Sequence, residues 1–364
     1  MDTMVSPEIS NREIELIVGN SKRNFSGITS SMLQVISYQK EMIPLRVMGK
    51  SNLTDTHLAI SFWQVVKMCQ KPLSNGKYRI FHARRVDEMI QGVLLKYLFR
   101  AKLKLVFSSA AQRKRARFTY WLTSKMDAVI AMCNASANYL ETPPSTVIYH
   151  GVNINTYKGA ANKEQAWQAL DLLPVTQKKG KHGIAILGRV REQKGVHLFV
   201  KSCIALLADY PDYTAVIVGS TAAKHMKYEQ QLRSQINKAG LSERIVFVGE
   251  QHFTDIPKIF SSLSMVVALS KNEGFGLTVL EAMSSGAAVL ASEAGAWPEI
   301  IRQGIDGYVV PVNDLDAVKA KMALLLSDQQ KLAQMGISGR QRVEEFYSVE
   351  REAMELTTFL KTLE

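Results

Sequence analysis

At 364 residues the chain is longer than one hydrophobic core normally sustains, so two domains are expected. A hydrophobic fraction of 46% with 21% charged residues excludes a disordered or fibrous chain, and no apolar run approaches the roughly 18–20 residues of a spanning helix. The net charge of +12 suits an anionic partner (nucleic acid, membrane surface or phosphorylated small molecule), or simply solvated basic faces.

Met1–Glu15 carries Asp2, Glu8, Glu13 and Glu15 and lacks the basic-then-apolar pattern of a secretory leader. Cys69, Cys133 and Cys203 are odd in number and widely spaced, which argues against a disulfide framework or zinc cage and suits a reducing cytoplasm.

In chain order, a strand at Ile14–Gly19 precedes a helix over Thr29–Lys40, a strand at Pro44–Met48 and a helix near Ser61–Cys69. A strand at Tyr78–Ala83, a helix over Glu88–Ala101, a strand at Lys104–Ser108 and a helix over Arg113–Met126 follow, then strands at Ala128–Ala131 and Thr146–His150. The stretch Val152–His182 interrupts the rhythm with Gly159, Pro174 and Lys178-Lys-Gly-Lys181, although Glu164–Leu170 reads as a helix.

The alternation then restarts. Strands are predicted at Gly183–Leu187, Tyr213–Val218, Arg244–Val248, Met265–Ala268, Ala288–Ala291 and Tyr308–Pro311. Helices are predicted over Val196–Asp209, Lys227–Ala239, Asp255–Ser262, Leu277–Ser284 and Pro298–Gln303, then Asp316–Ser327, Gln329–Glu345 and Val349–Leu363. Strands joined by helices imply parallel βαβ units, hence an α/β fold of two Rossmann-like, doubly wound domains facing a central cleft. The expected boundaries are residues 1–152, 153–345 and a closing helical segment, 346–364, that packs back on the first domain. Ligands of such folds sit beyond the carboxyl ends of the strands.

Two constellations lie at those ends. In Ser270-Lys-Asn-Glu273-Gly274-Phe275-Gly276-Leu277-Thr-Val-Leu-Glu281, a strand runs through a glycine-rich loop into a helix. Free N–H groups at the helix start suit hydroxyl or phosphate oxygens, and the carboxylates of Glu273 and Glu281 can accept from vicinal diols. A plain αβ turn with one glutamate favouring the helix dipole is the competing reading. In Gly188-Arg189-Val-Arg191-Glu-Gln-Lys194-Gly195, the cations follow the first strand of the second domain and can neutralise a diphosphate. An ordinary basic surface loop is the alternative. It is not a P-loop, because Val196 follows Gly195.

Together these strings resemble retaining GT-B glycosyltransferases of family GT4, or group 1, and the closer match is to lipopolysaccharide core mannosyltransferases. Supporting strings are Tyr149-His-Gly-Val-Asn153, Val218-Gly-Ser220, Gly286-Ala-Ala-Val289, Gly295-Ala-Trp-Pro-Glu299 and Gly304-Ile-Asp-Gly-Tyr308. Phe81-His-Ala-Arg-Arg85 and Phe107-Ser-Ser-Ala-Ala-Gln-Arg113 carry the closer match. The resemblance implies that the first domain binds the acceptor and the second the nucleotide sugar. Glu273 would contact the donor hexose, Gly274, Phe275, Gly276 and Leu277 would supply backbone donors, and Glu281 would hold the ribose. Arg189 and Lys194 would hold the diphosphate and stabilise the leaving nucleotide, Gly27 would approach the donor phosphate or acceptor, and Val248, Gly249 and His252 would border the base.

It further implies a donor such as GDP-mannose, an acceptor of the Kdo–lipid A core type and a front-face, metal-independent reaction with no cofactor. Where many relatives carry a histidine, this chain has Ser108 and Ser109. His82, Arg84 and Arg85 are the candidates for an anionic acceptor, with a histidine packed at a strand end as the other reading of His82. The one D-x-D, Asp314-Leu-Asp316, precedes a helix and reads as a cap.

Arg113-Lys-Arg-Ala-Arg-Phe-Thr-Tyr-Trp-Leu122 mixes cations and aromatics as a membrane-surface helix does, although its apolar residues equally suit a core. The combined expectation is a cytoplasmic enzyme peripheral on the inner membrane, acting on a lipid-linked glycan. A transferase of the same family that uses a UDP-sugar for another cell-surface glycan is one rival, and a sugar-nucleotide epimerase of the same fold is a second. A nucleic-acid-binding protein is another, but no helix-turn-helix, RRM or zinc-finger pattern accompanies the basic clusters.

Overall fold

Thirteen strands form two all-parallel sheets in a computed structural model that describes residues 13–24, 26–172 and 180–363. Phe25, Pro174, Lys178, Lys179 and the acidic positions before Glu13 lie outside the described residues. The chain divides into two units, one running to Gly151 and including Val349–Glu364, the other spanning Val152–Ser348.

The strands of the first unit are β1 (Leu16–Gly19), β2 (Leu45–Met48), β3 (Ala59–Ile60), β4 (Arg79–Ala83), β5 (Leu103–Ser109), β6 (Ala128–Ala131) and β7 (Thr146–Val147). They lie in the order β3-β2-β1-β4-β5-β6-β7. All residues of β1 and β4 are buried, as expected of strands covered by helices on both faces. One face is covered by the helices Phe62–Met68, Val86–Val93 and Arg117–Thr123, whose inward residues share a core with Phe81, Leu105 and Phe107. The helix Gly27–Met42 starts at Ser26, whose Oγ accepts the Thr29 N–H. It packs against the closing helix Val349–Lys361, where Gln39 Nε2 donates to Thr357 Oγ1 at 3.2 Å.

Two helices depart from their periodic pattern. The run Glu88–Ala101 is α-helical only to Val93 and continues as a π turn over Leu94–Leu98. The run Arg113–Met126 is helical only over Arg117–Thr123. Upstream of it, Arg115 turns inward to donate to Ser109 Oγ and lies 5.1 Å over the Phe107 ring, which draws its backbone out of the helix. The two-residue strand β3 and the short helix Asn134–Ala137 are too brief for periodicity to register.

In the second unit β8 (His182–Leu187), β9 (Tyr213–Val218), β10 (Ile245–Gly249), β11 (Leu263–Ala268), β12 (Ala288–Ser292) and β13 (Gly307–Val310) lie in the order β10-β9-β8-β11-β12-β13. Its core runs through Ile184, Ile186, Ile217, Met265 and Leu290. Asp314 caps the helix Leu315–Leu326, its Oδ1 accepting the Ala317 N–H at 2.9 Å.

Candidate functional site

In the second unit β8 lies between β9 and β11, so strand order reverses across the β8–β11 pair and their carboxyl ends define the ligand crevice. Both motif loops leave from there: Gly188–Gly195 follows β8, and Leu269–Gly276 follows β11. Several contacts bind them together. Lys194 Nζ lies 2.5 Å from Glu273 Oε2, Gln193 Nε2 donates to the Asn272 carbonyl at 2.6 Å, and Lys271 Nζ lies 2.6 Å from Glu192 Oε1. Ser270 Oγ also donates to Glu273 Oε2 at 3.0 Å, so this carboxylate is held from two sides.

The cationic side of the crevice has three members. Arg189 is exposed, Lys194 half-buried, and Arg191 carries a buried Nε that makes no hydrogen bond. Burial, then the neighbouring Arg189, lowers the Arg191 pKa, while Glu273 opposes the shift. Such a cluster suits a diphosphate whose charge grows as its bond to a sugar breaks. Gly276, at a φ of +88°, opens the helix Leu277–Ser284, and its carbonyl accepts the Trp297 indole N–H at 2.8 Å. The Ala296 N–H binds the Phe275 carbonyl at 3.1 Å, so the glycine-rich turn rests on the loop after β12.

Glu281 sits within that helix, where its carboxyl accepts the Tyr157 hydroxyl. Burial pushes Glu281 up to about 7, and the bond from Tyr157 pulls it back down. Tyr157 is itself fixed: Arg340 Nη1 donates to its carbonyl at 2.8 Å and to the Ile154 and Ser284 carbonyls, while its ring packs edge-on against Phe260.

Were Glu281 to hold a ribose diol, as the resemblance implies, the accepting form would be the carboxylate, which prevails above about pH 7 and is lost as the pH falls below it. Donor affinity is therefore expected to rise about tenfold from pH 6 to pH 8, because only the ionised fraction binds. Isothermal titration of a nucleotide sugar, whose diphosphate diester does not titrate in this range, measures it. Glu281→Gln should flatten the profile and Tyr157→Phe should move its midpoint upward; a flat wild-type profile removes Glu281 from the ribose contact.

Val248 and Gly249 end β10, with Gly249 exposed at a φ of +71° and open space where a Cβ would stand. His252 is exposed beyond them, its Nδ1 2.8 Å from Thr254 Oγ1.

In the first unit the reversal falls between β1 and β4. Gly27 is the first residue of the helix after β1, with nothing within 4 Å of the place a Cβ would take. Arg85, following β4, donates to Ser26 Oγ and Thr29 Oγ1 at that helix start and pairs with Glu88 at 3.0 Å. Glu88, fully buried, also accepts the backbone N–H groups of Ser21, Arg84 and Arg85.

His82 is completely buried and lies 2.7 Å from Ser108 Oγ; burial, then Arg84, holds its pKa well below the usual histidine value. The ring is therefore neutral at physiological pH. Its Nδ1 and Arg84 Nη1 are buried without hydrogen-bond partners, and Arg84 lies in the field of Glu352 and Glu88. Ser109 is buried on the Arg115 guanidinium. So the serines in the place of an expected histidine contact the ring of another histidine and a third arginine.

Sequence reasoning passed over Tyr157, Arg115 and Glu88 as site residues and gave Arg191 no role. Only Arg191 had a local signal, since it stands inside the Arg189–Lys194 motif.

A family model described as glycosyl transferases group 1 matches residues 174–342. The lipopolysaccharide core biosynthesis mannosyltransferase LpcC of Rhizobium leguminosarum bv. viciae is 39% identical over 343 residues, 94% of this chain and 94% of that protein. The group 1 glycosyltransferases include this chain. LpsB of Rhizobium meliloti, of the same description, is 36% identical across 97% of this glycosyltransferase and 98% of its own length. A crystal structure of the C-terminal domain of a group 1 protein, LpcC from Francisella tularensis, matches 54% of the chain and 99% of that domain, with 36% identity and a TM-score of 0.51. Anabaena HepE in complex with UDP and glucose covers 96% of the chain and 100% of its own at a TM-score of 0.74, and at 19% identity it shares the GT-B fold.

Proposed function

We propose that this glycosyltransferase moves mannose from GDP-mannose onto the inner core of a lipopolysaccharide, with a Kdo–lipid A type acceptor, retaining the anomeric configuration and needing no metal. The observation that carries the chemistry is the contact of Lys194 with Glu273, which joins the cationic loop after β8 to the glycine-rich loop after β11. A diphosphate beside Arg189, Arg191 and Lys194 meets fixed positive charge, while Glu273 accepts from hexose hydroxyls and Glu281 from the ribose. The acceptor hydroxyl attacks from the face the nucleotide leaves, and the departing phosphate oxygen takes its proton. Relatives named for core mannosyl transfer, matched over nearly the whole chain, support the sugar and the acceptor.

The first-unit residues fit an anionic acceptor: Arg84, Arg85 and Arg115 bring three guanidinium groups to the carboxyl ends of β4 and β5. A peripheral place on the cytoplasmic face of the inner membrane belongs to the same proposal. No helix among the described residues is long and apolar enough to cross a membrane, and the +12 net charge favours an anionic leaflet.

A thermal-shift screen of GDP, UDP and ADP sugars, followed by transfer to Kdo–lipid A, tests this reading, since a ligand that binds only the folded protein raises its melting point. GDP-mannose should give the largest shift and an α-mannosyl product by NMR, at a rate indifferent to EDTA. A β-linked product refutes retention, and loss of activity in EDTA refutes independence of metal. A larger shift with UDP- or ADP-sugars reassigns the donor, and rapid donor turnover without acceptor points to an epimerase or hydrolase.

A further inference from the structure

The helices Phe62–Met68, Val86–Val93 and Arg117–Thr123 cover one face of the first unit's sheet and bury their inner sides in one core. Their outer sides are apolar to an unusual degree. Trp63 is 66% exposed, Tyr97 56%, Leu98 66%, Phe118 54% and Trp121 49%, and Leu94 is exposed as well. Single exposed apolar residues need no explanation, but contiguous large ones mark a docking surface.

Contiguity follows from the contacts. The rings of Trp63, Phe62 and Phe99 meet edge to face at 5.4–5.7 Å, and Phe99 closes the π turn that carries Leu94, Tyr97 and Leu98. From that turn Lys96 reaches Asp127 at 2.6 Å, and Lys125, two residues earlier in the chain, lies over the Trp121 ring, which stacks on Phe118. The π turn buries only Leu95 of its five residues, and a local widening of the helix is what turns the others outward.

The charge of these segments selects the partner. Between Leu94 and Met126 the chain has nine lysines and arginines and no aspartate or glutamate. Arg100, Arg113, Lys114 and Arg117 are exposed, as is Lys67 on the first helix. The first acid beyond this stretch, Asp127, is taken by Lys96. Aromatic rings ringed by cations suit an anionic lipid headgroup layer, where tryptophan and tyrosine sit at the interface and basic side chains meet lipid phosphates. A protein partner would have to present acids at matching points to meet such charge, whereas an anionic leaflet supplies it across the whole face.

We propose that this outer face, built on Trp63, the Leu94–Leu98 turn and the Phe118–Trp121 pair, is where the enzyme lies on an anionic bilayer. This rests on the peripheral reading given above and narrows it from one basic helix to three packed segments, with Arg115 excluded because it points inward.

Tryptophan fluorescence gives a direct readout. Of the four tryptophans, Trp167 and Trp297 are buried in the second unit, and only Trp63 and Trp121 are exposed. The full chain is mixed with phosphatidylglycerol vesicles, and separately with phosphatidylcholine vesicles, in about 0.1 M salt, where surface attraction still acts over roughly 10 Å. Phosphatidylglycerol should blue-shift the emission and sediment the protein, and phosphatidylcholine should do neither. Trp63→Ser with Leu98→Ser and Trp121→Ser should lower partitioning at least about tenfold, while transfer to a water-soluble, deacylated acceptor stays at the wild-type rate. Arg113→Glu with Lys114→Glu and Arg117→Glu should do the same and leave the melting temperature in place.

A wild-type chain that ignores anionic vesicles overturns both this face and the peripheral reading. Binding that survives both variants overturns this face alone. Failure of soluble transfer in the wild type strikes the proposed acceptor, and leaves the vesicle result to stand by itself.

Discussion

Glu273→Ala is expected to lower sugar transfer about 100-fold, on the order of 2.7 kcal/mol of transition-state stabilisation, while the melting temperature hardly moves. Glu273 lies in a loop and is about one-fifth exposed, and its partners are Lys194 and Ser270 of the same crevice. Ion pairs with that much solvent access contribute about 0–1 kcal/mol to stability, so the fold loses little. The catalytic loss has two sources. A carboxylate that accepts from a hexose hydroxyl disappears, and Lys194 loses the group that aims its ammonium into the crevice. Glu273→Gln separates them, because the amide keeps a hydrogen-bond acceptor but no longer holds the ammonium by charge. A larger loss of kcat in Glu273→Gln than of donor affinity assigns the charge to the transition state. Unchanged turnover in Glu273→Ala takes this residue out of the site.

The parallel sheets and both motif loops were legible in the sequence because their signals are local. Apolar runs such as Leu16–Gly19 and Tyr213–Val218, and glycines at turns such as Gly276, need no knowledge of the rest of the chain. What escaped depends on distant partners. Tyr157 becomes interesting only when Arg340 and Ser284 place its hydroxyl on Glu281. Glu88 looks like an ordinary helix-start acid until five donors from Ser21, Arg84 and Arg85 converge on it. Arg115 was read as one cation of a surface helix. Periodicity favoured that, but an inward hydrogen bond to Ser109 and the Phe107 ring outweigh a turn of helix.

Closure of the two motif loops on one another has its own determinant, Gly195, where a large stability effect is expected. Gly195 ends the short turn Glu192–Lys194 and starts the helix Val196–Leu206, at a φ of +71°. A Cβ at this position would come within 2.5 Å of the Leu269 Cβ and closer still to the Leu269 carbonyl, which is backbone and cannot swing aside. Gly195→Ala is therefore expected to cost about 3 kcal/mol, part left-handed strain and part displacement of the loop after β11. For a unit of this size that is a fall of roughly 6–12 °C in melting temperature.

Gly240 is the control, since its φ of +69° is nearly the same and nothing lies within 4 Å of its missing Cβ. Gly240→Ala should cost only the conformational part, about 1–2 kcal/mol, and leave donor affinity intact. Gly195→Ala should weaken donor binding too, because Lys194 and Glu273 stand on the two loops it forces apart. Urea unfolding and nucleotide titration of both variants compare the terms. Equal costs at the two glycines, with donor affinity unchanged in both, would mean that the contact between the loops contributes nothing and that Lys194 and Glu273 are positioned independently.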